Sequence, residues 1–471
     1  MSISSAYNIA RSGLRATEAR ADMVAGNIAN ARTPGYARRE EVQISTGAGQ
    51  GSAVELRMSR QIDERIAGMT RGAGAAMGGA SVAGEILRGY LSTLGAPGDE
   101  VSPAARMADF QAGLDLLANN PSDPSVQNDV LARADGLVRS LNAASSELGR
   151  SRVQAADSFE RSVGEVNNAL SGIAALNEQL RGTSVGLQNG TLMDEMNRKL
   201  DALGTQMEFQ ARWEADGTLT LHSLGGTELV SGDDAARLTA DRQTGGLFAD
   251  GVDITPNRTG SRGFSSGRLA GLSEMLSTVI PQMNLQLDEL ARGMIEGFEA
   301  ADTSLAPGDA GLFTDGGAAF DPAQVGGLAG RLAVNDNLRP EKGGALWRLR
   351  DGMATPTPGE PGATAQINAF IRVFDDARPV DAGAGLGSSA RLGDFAAGLV
   401  GHQHNVRVTA DARAEAAGIR LASFEESRSS IEGVNIDIEL QKLLEIEQAY
   451  GANSQVLSSL STMIDTLLNA V

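Results

Sequence analysis

Two histidines flank one glutamine, His402-Gln403-His404, with Asp394 nearby: the residue types of a metal site or a proton shuttle. A helix carries positions i and i+2 to different faces, so this pair could chelate only on extended backbone. No further ligand clusters with it in sequence. The run DAGAGLGSS, from Asp381, offers Gly383, Gly385 and Gly387 as a phosphate cradle, but it lacks the GxGxxG spacing and a preceding strand. It reads as a linker. The acidic pairs Asp375-Asp376 and Glu425-Glu426 have the chemistry for acid–base work, yet such pairs in so acidic a chain mark solvated faces. His222 sits in a strand-like segment with no acid or nucleophile beside it. Neither GxxxxGK[ST] nor GxSxG occurs, and the absence of cysteine removes thiolate catalysis, thiolate zinc and disulfides. No catalytic residue, cofactor-binding residue or metal ligand is assigned, no cofactor is expected, and the chain reads as a non-enzyme.

With no chemistry to position, the elements themselves become the subject. A chain of 471 residues calls for several domains, and 58 glycines with only 4% aromatics suggest helices packed through Ala and Leu between Gly-rich connections. The formal charge of −19 argues against nucleic acid as a partner. No window is apolar enough for a membrane span and no apolar run follows Arg11, Arg15 and Arg20, so neither membrane insertion nor a secretory signal is expected.

Apolar and small residues recur through Ile3, Tyr7, Ala10, Leu14, Thr17, Ala21, Val24 and Ile28 in an unbroken 4-3 register. Leu443, Ile446, Tyr450, Asn453, Leu457, Leu460, Ile464, Leu467 and Val471 do the same at the other end. Each stripe is too narrow for a core of its own and needs a partner helix. The first stripe is rich in Arg and the second in acid, so the two could pair with one another, within or between subunits.

Between these stripes, 36–66 alternates as extended chain (Val42, Ile44, Val54, Leu56), and a Gly-rich patch follows from Gly68 to Gly84. Asp123-Pro124 opens a long helix whose apolar face runs from Val130 to Leu180. Strands with turns at Asp216-Gly217 and Gly225-Gly226 form a β insert. Helix returns over Gly267–Ala301, with a kink at Pro281, and from 364 to the end apart from 382–390. The fold class is mainly α with a β insert: an elongated multi-domain rod, its terminal helices paired as a coiled coil around an inner long-helix bundle and a small mid-sequence β domain. The divisions are 1–66 with 425–471 (terminal assembly domain); 67–204, 265–301 and 363–424 (helical rod); 205–264 (small β domain); and 302–362 (a Gly/Pro/Asp-rich insert).

NIANARTPGYARRE, Asn27 to Glu40, resembles the N-terminal signature of the bacterial flagellar axial proteins, the rod, hook and hook-associated family. Gly433–Glu439, Gln448–Asn453 and Asp465–Asn469 resemble the matching C-terminal signature. The interior segments FQAGLDLLANNPSDPSVQND and GRLAGLSEMLSTVIPQMNLQLDELARGM are similar to the hook-associated branch of that family. The resemblance implies a structural subunit at the hook–filament junction, exported unfolded through the flagellar type III apparatus and ending outside the cell. Its partners would be hook protein, hook-associated protein 3, further copies of itself, and a cytoplasmic type III export chaperone (FlgN-like). The alternatives are another axial protein such as the hook protein, or an exported coiled-coil adhesin or effector. Carried onto this chain, the assembly interface comprises Leu14, Val24, Asn27, Ile28, Asn30, Pro34, Gly35 and Tyr36 with Tyr450, Asn453, Leu457, Leu460, Ile464 and Leu467. The chaperone would grip Leu443, Ile446, Leu457, Leu460, Ile464 and Leu467. Asn30 is expected to cap the first helix, and Pro34-Gly35 to form a type II turn that delivers Tyr36.

Overall fold

The computed structural model describes residues 3–46, 53–181 and 187–469. The first stripe forms helix α1 (Ile3–Ala29), followed by an antiparallel hairpin of β1 (Arg39–Thr46) and β2 (Ala53–Arg60) with Arg39 opposite Arg60. The side chains of Val42, Ile44, Val54 and Leu56, expected to alternate here, lie outside the described residues.

Helix α2 (Glu64–Leu94) starts at Asp63, whose carboxylate accepts from the Arg65 and Ile66 N–H groups. The glycine patch expected to precede a helix lies inside this one. Packing outweighs propensity: a Cβ on Gly78 would stand 2.5 Å from the Thr205 carbonyl, and one on Gly79 3.0 Å from that of Gly267. Helix α3 (Pro103–Asn119) leads to α4 (Pro124–Arg181), capped by Asp123 through a 2.8 Å bond from the Ser125 N–H. At 58 residues, α4 is about 87 Å long, and its apolar face from Val130 to Leu180 is buried.

Helix α5 (Leu187–Gln206) returns toward α2. The β insert holds a four-stranded sheet of β3 (Phe209–Trp213), β4 (Leu219–Ser223), β5 (Glu228–Ser231) and β6 (Asp234–Ala235). A three-stranded sheet of β7 (Leu238–Ala240), β8 (Leu247–Ala249) and β9 (Val252–Asp253) follows. The next helical stretch is interrupted where Pro281 predicts a kink. Helix α6 (Arg268–Glu274) widens into a π-turn over Met275–Val279 before α7 (Ile280–Ala301), which accommodates the proline ring.

The segment 302–362 carries β10 (Phe313–Asp315), α8 (Leu328–Arg331), β11 (Leu332–Val334) and α9 (Arg348–Asp351). Phe313 plugs it into a cluster with Phe110 and Phe298, ring centroids 5.6 and 5.1 Å away, and Phe370 and Phe374 complete the cluster on Phe298. The scarce aromatics are thus concentrated where this segment meets α3 and α7. Helix α10 (Ala365–Arg372) and the short pair β12 (Arg378–Pro379) and β13 (Ser389–Ala390) precede α11 (Leu392–Glu432) and α12 (Ile436–Leu468). The helix expected to run on to the end is therefore broken at 433–435. There Asn435 starts α12 afresh, its side chain accepting from the Asp437 and Ile438 N–H groups.

Two antiparallel pairs result. Helix α2 packs on α11, with Met77 against Gly418 and Tyr90 bonded to Gln403. Helix α1 packs on α12, and the connections 30–46, 53–63 and 433–435 form the joint between the pairs.

Candidate functional site

The two sequence signatures meet at this joint. Asn27 contacts Glu439 while Gly13 faces Asn453, so equal steps along α1 and α12 fix an antiparallel register. Gly13 makes room for its partner: a Cβ there would lie 3.2 Å from the Asn453 amide. The seam on α12 runs through Glu439, Lys442, Ile446, Ala449, Asn453, Leu457, Leu460 and Ile464. Leu443 and Tyr450, expected on it, are exposed by 37% and 44%. The phase is set by Glu439, which must reach Asn27; the helical progression from 439 through 442, 446 and 449 passes one residue short of both. Leu14, Ile28, Leu457, Leu460 and Ile464 are half-buried, Val24 is buried, and Tyr7 is exposed. The Leu467 side chain and Val471 lie outside the described residues. Among the described residues no ion pair joins α1 to α12; the Arg20 guanidinium binds Glu41 of the hairpin instead. Opposite net charge on the two stripes is therefore not what pairs them.

A saturated amide does part of that work. Asn27 is fully buried, and its Nδ2 donates to the Arg39 carbonyl (2.9 Å) and to Glu439 Oε2 (3.0 Å). Its Oδ1 accepts from the Tyr36 hydroxyl (2.8 Å) and the Arg39 N–H (3.0 Å). All four hydrogen-bonding positions of the amide are used. Glu439, also fully buried, takes a second partner, the cationic Lys442 Nζ, at 2.8 Å.

The local backbone explains how Tyr36 gets there. Asn30 closes α1 by donating its amide to the Gly26 carbonyl at 2.9 Å. Gly35, at φ +77°, occupies the left-handed region, and the Tyr36 N–H returns to the Thr33 carbonyl at 3.2 Å. Pro34 stays exposed at the turn's outer corner. Burial raises the Tyr36 phenol above its ordinary range, and Arg39 lies over the ring, 5.2 Å from its centroid. The residue pattern of the N-terminal signature is thus a cap, a turn and two arms of one hydrogen-bonded node.

Helix α5 clamps the joint from the side. Asp194 receives Arg39 at 3.3 Å and Arg60 at 2.7 Å, two neighbours across the hairpin. Two turns further on, Asp201 receives Arg71 of α2 and Arg428 of α11, each at 2.8 Å, and Arg428 also binds Glu432 at 2.8 Å. Burial lowers the Arg60 guanidinium, opposed by Asp194, whereas Arg428 is held above its ordinary value because Asp201 and Glu432 outweigh its burial. The Arg38 N–H bonds the Glu432 carbonyl at 2.7 Å, linking the hairpin to the end of α11.

Asn27, Asn30, Gly35 and Tyr36 are brought together; Asn453, Leu457, Leu460 and Ile464 extend from the node along the seam. Reasoning from sequence missed Glu439 as a node residue, although it ends the Gly433–Glu439 segment, and it missed Asp194, Asp201, Arg60 and Arg428. No periodic signal marks these. His404, on α11, lies with Nε2 2.9 Å from the Gly95 carbonyl at the end of α2, and the glycines near 383–387 form a turn against α7 in which the Asp381 N–H donates to Glu289. The joint ties the α1–α12 pair to the α2–α11 pair and leaves apolar surface on the former.

Residues 91–305 match the family described as flagellar hook-associated protein FlgK helical domain. Residues 427–470 match the C-terminal region of flagellar basal body rod FlgEFG proteins, and 8–36 match the flagella basal body rod protein family. Flagellar hook-associated protein 1 of Escherichia coli is 24% identical over 99% of this chain and 100% of its own length. The protein of that name from Bacillus subtilis is 22% identical over 98% of this chain and 97% of its own. The solved flagellar hook junction protein FlgK from Burkholderia pseudomallei superimposes on 53% of this chain and 47% of its own, at 21% identity and a TM-score of 0.44.

Proposed function

We propose that the chain is a member of the family of flagellar hook-associated protein 1, a structural component of the hook–filament junction, and that it polymerises there through α1 and α12. The observation that carries this is an incomplete burial. Leu14, Ile28, Leu457, Leu460 and Ile464 face the partner helix of their own chain and remain half-exposed. Beside the seam, Ile436, Leu440, Leu443, Leu444 and Tyr450 are open to solvent. Two helices cannot cover such an area, and neighbouring copies can. Full burial of an exposed apolar side chain contributes roughly 1.5–3 kcal/mol, and the seam residues, already half-buried, gain only part of that.

In this reading Asn27, Asn30, Pro34, Gly35, Tyr36 and Val24 shape the interface from within a subunit, and Tyr450, Asn453 and Leu467 extend it. The terminal helices act as one assembly unit, the α2–α11 and α4 bundle as a rod, 205–264 as a β outgrowth, and 302–362 as a brace on the rod. Hook protein below and hook-associated protein 3 above are the axial neighbours, outside the cell. Before type III export, a FlgN-like cytoplasmic chaperone covers the apolar face of α12 through Leu443, Ile446, Leu457, Leu460 and Ile464.

Leu460→Asp combined with Ile464→Asp tests this. The core should fold, as judged by the circular dichroism and melting of the purified chain, while cells carrying the double variant make hooks without filaments. Normal filament growth would refute it.

A further inference from the structure

Just past the joint, a groove of about 420 Å³ opens between the first turns of α2, the end of α5 and the sheet β3–β4. Gly68 and Gly72 line it, with the Arg71 guanidinium beside them bonded to Asp201; Phe209, Trp213 and Leu224 form apolar walls, and Glu64 and Glu208 add two carboxylates. The glycines are informative by contrast. Those at 78, 79 and 84 are needed because a side chain would strike Thr205, Gly267 or Asp411. Gly68 and Gly72, one turn apart on the same helix, have nothing within 4 Å of a built Cβ. Each costs the helix about 1 kcal/mol relative to alanine, and among the described residues none fills the space. Leu224, in the turn that follows β4, adds apolar surface that is 44% exposed.

On α1, Tyr7, Arg11 and Arg15 are spaced four apart and all exposed. They form one i±4 ridge about 12 Å long, the length of helix between Glu64 and Gly72. An aromatic ring and two guanidinium groups suit the open space over the two glycines, the aromatic walls and the carboxylates of Glu64 and Glu208, the Arg71 charge being already met by Asp201. The exposed face of α12 fits less well, because its Asp437, Glu445 and Glu447 would meet Glu64 with like charge. Helix α1 packs on α12 and the hairpin of its own chain, so its ridge is free for another.

We infer that the Gly68–Gly72 groove receives the Tyr7–Arg11–Arg15 ridge of a second copy of this chain, a head-to-tail contact between unlike surfaces. Such a contact propagates into a ring or helix rather than closing as a dimer. The inference rests on the polymerising role proposed above and adds which surface meets which.

The cysteine-free sequence makes the test direct. Arg11→Cys and Gly68→Cys are built as two separate full-length chains and coexpressed in cells lacking the native gene, and their isolated flagella are oxidised. The mixed disulfide should predominate over either homodimer, since bridging requires Cα atoms within about 7 Å. Gly72→Phe, which fills the groove, should lower junction incorporation about tenfold, the loss of about 1.4 kcal/mol of contact, with circular dichroism and melting temperature preserved. Glu64→Arg should impair incorporation and Arg11→Glu with Arg15→Glu should restore it. Filaments that grow normally without the mixed disulfide, or normal incorporation of a folded Gly72→Phe chain, would overturn the inference. If Leu460→Asp with Ile464→Asp still blocks filaments in that case, the junction role stands and only this contact is wrong.

Discussion

Replacing Asn27 with alanine removes four hydrogen bonds at once: those to the Arg39 N–H and carbonyl, the Tyr36 hydroxyl and Glu439 Oε2. An orphaned buried polar group costs about 1–3 kcal/mol, and more when charged. Tyr36 is half-buried, so water can take over its hydroxyl, and Glu439 keeps Lys442. The net loss is then about 3–5 kcal/mol, concentrated in the joint. Because the node ties α1 to α12 and not to the Phe cluster, opening should be local. Hydrogen exchange of peptides from 8–29 and 436–464 should accelerate together, about a hundredfold or more, with peptides from α4 unchanged. Asn27→Asp sharpens the test. It sets a second carboxylate against Glu439, so the folded pair holds a proton that the unfolded chain releases. The folded-state pKa of the pair is then raised, and stability is retained below it and lost as pH rises through it. The aspartate variant should be the worse of the two near neutrality and recover on acidification, whereas the alanine variant should not. Equal exchange in wild type and Asn27→Ala, or an aspartate variant indifferent to pH, would refute the reasoning.

Two further substitutions probe different levels. Gly35→Ala forces a Cβ into the left-handed region, 2.4 Å from Arg198 Cγ; Arg198 is exposed and can yield, leaving about 1–2 kcal/mol of backbone strain. Exchange over 30–38 should rise about five- to thirtyfold and return toward wild type in Gly35→Asn, which tolerates that conformation; equal effects would argue against strain. Phe298→Ala empties the centre of the aromatic cluster and should cost about 3–5 kcal/mol globally, read as a lower urea midpoint. An unchanged midpoint would mean that the 302–362 segment is not anchored there.

What could be read in advance was periodic or local. The stripe of α4, the Asp123-Pro124 start, the turns at Gly217 and Gly226 and the Asn30 cap each leave their signal within a few residues. The phase of α12 did not, because a stripe written in 3.5-residue steps drifts against a helix of 3.6, and only Glu439 fixes which neighbour faces inward. The glycine-rich part of α2 was hidden for the opposite reason: its local preference is overruled by close approach of α5, α6 and α11. The clamp of Asp194 and Asp201 on four arginines unites five separate elements, and single charged residues on separate elements have no periodicity to betray them.

Asn27 and Glu439 are separated by 412 positions. Closing a loop of that length from a disordered chain costs about 5 kcal/mol in entropy, more than their hydrogen bond returns. Once α2 has zipped onto α11, Arg38 and Glu432 are already neighbours, and the remaining gap is only the short connections to the two node residues. The order of folding is thereby imposed by topology: rod first, node last. A nascent chain in which Glu439 has not yet emerged has no partner for Asn27. Closure of the node thus reports that the chain has emerged at least as far as Glu439, a checkpoint written into the connectivity.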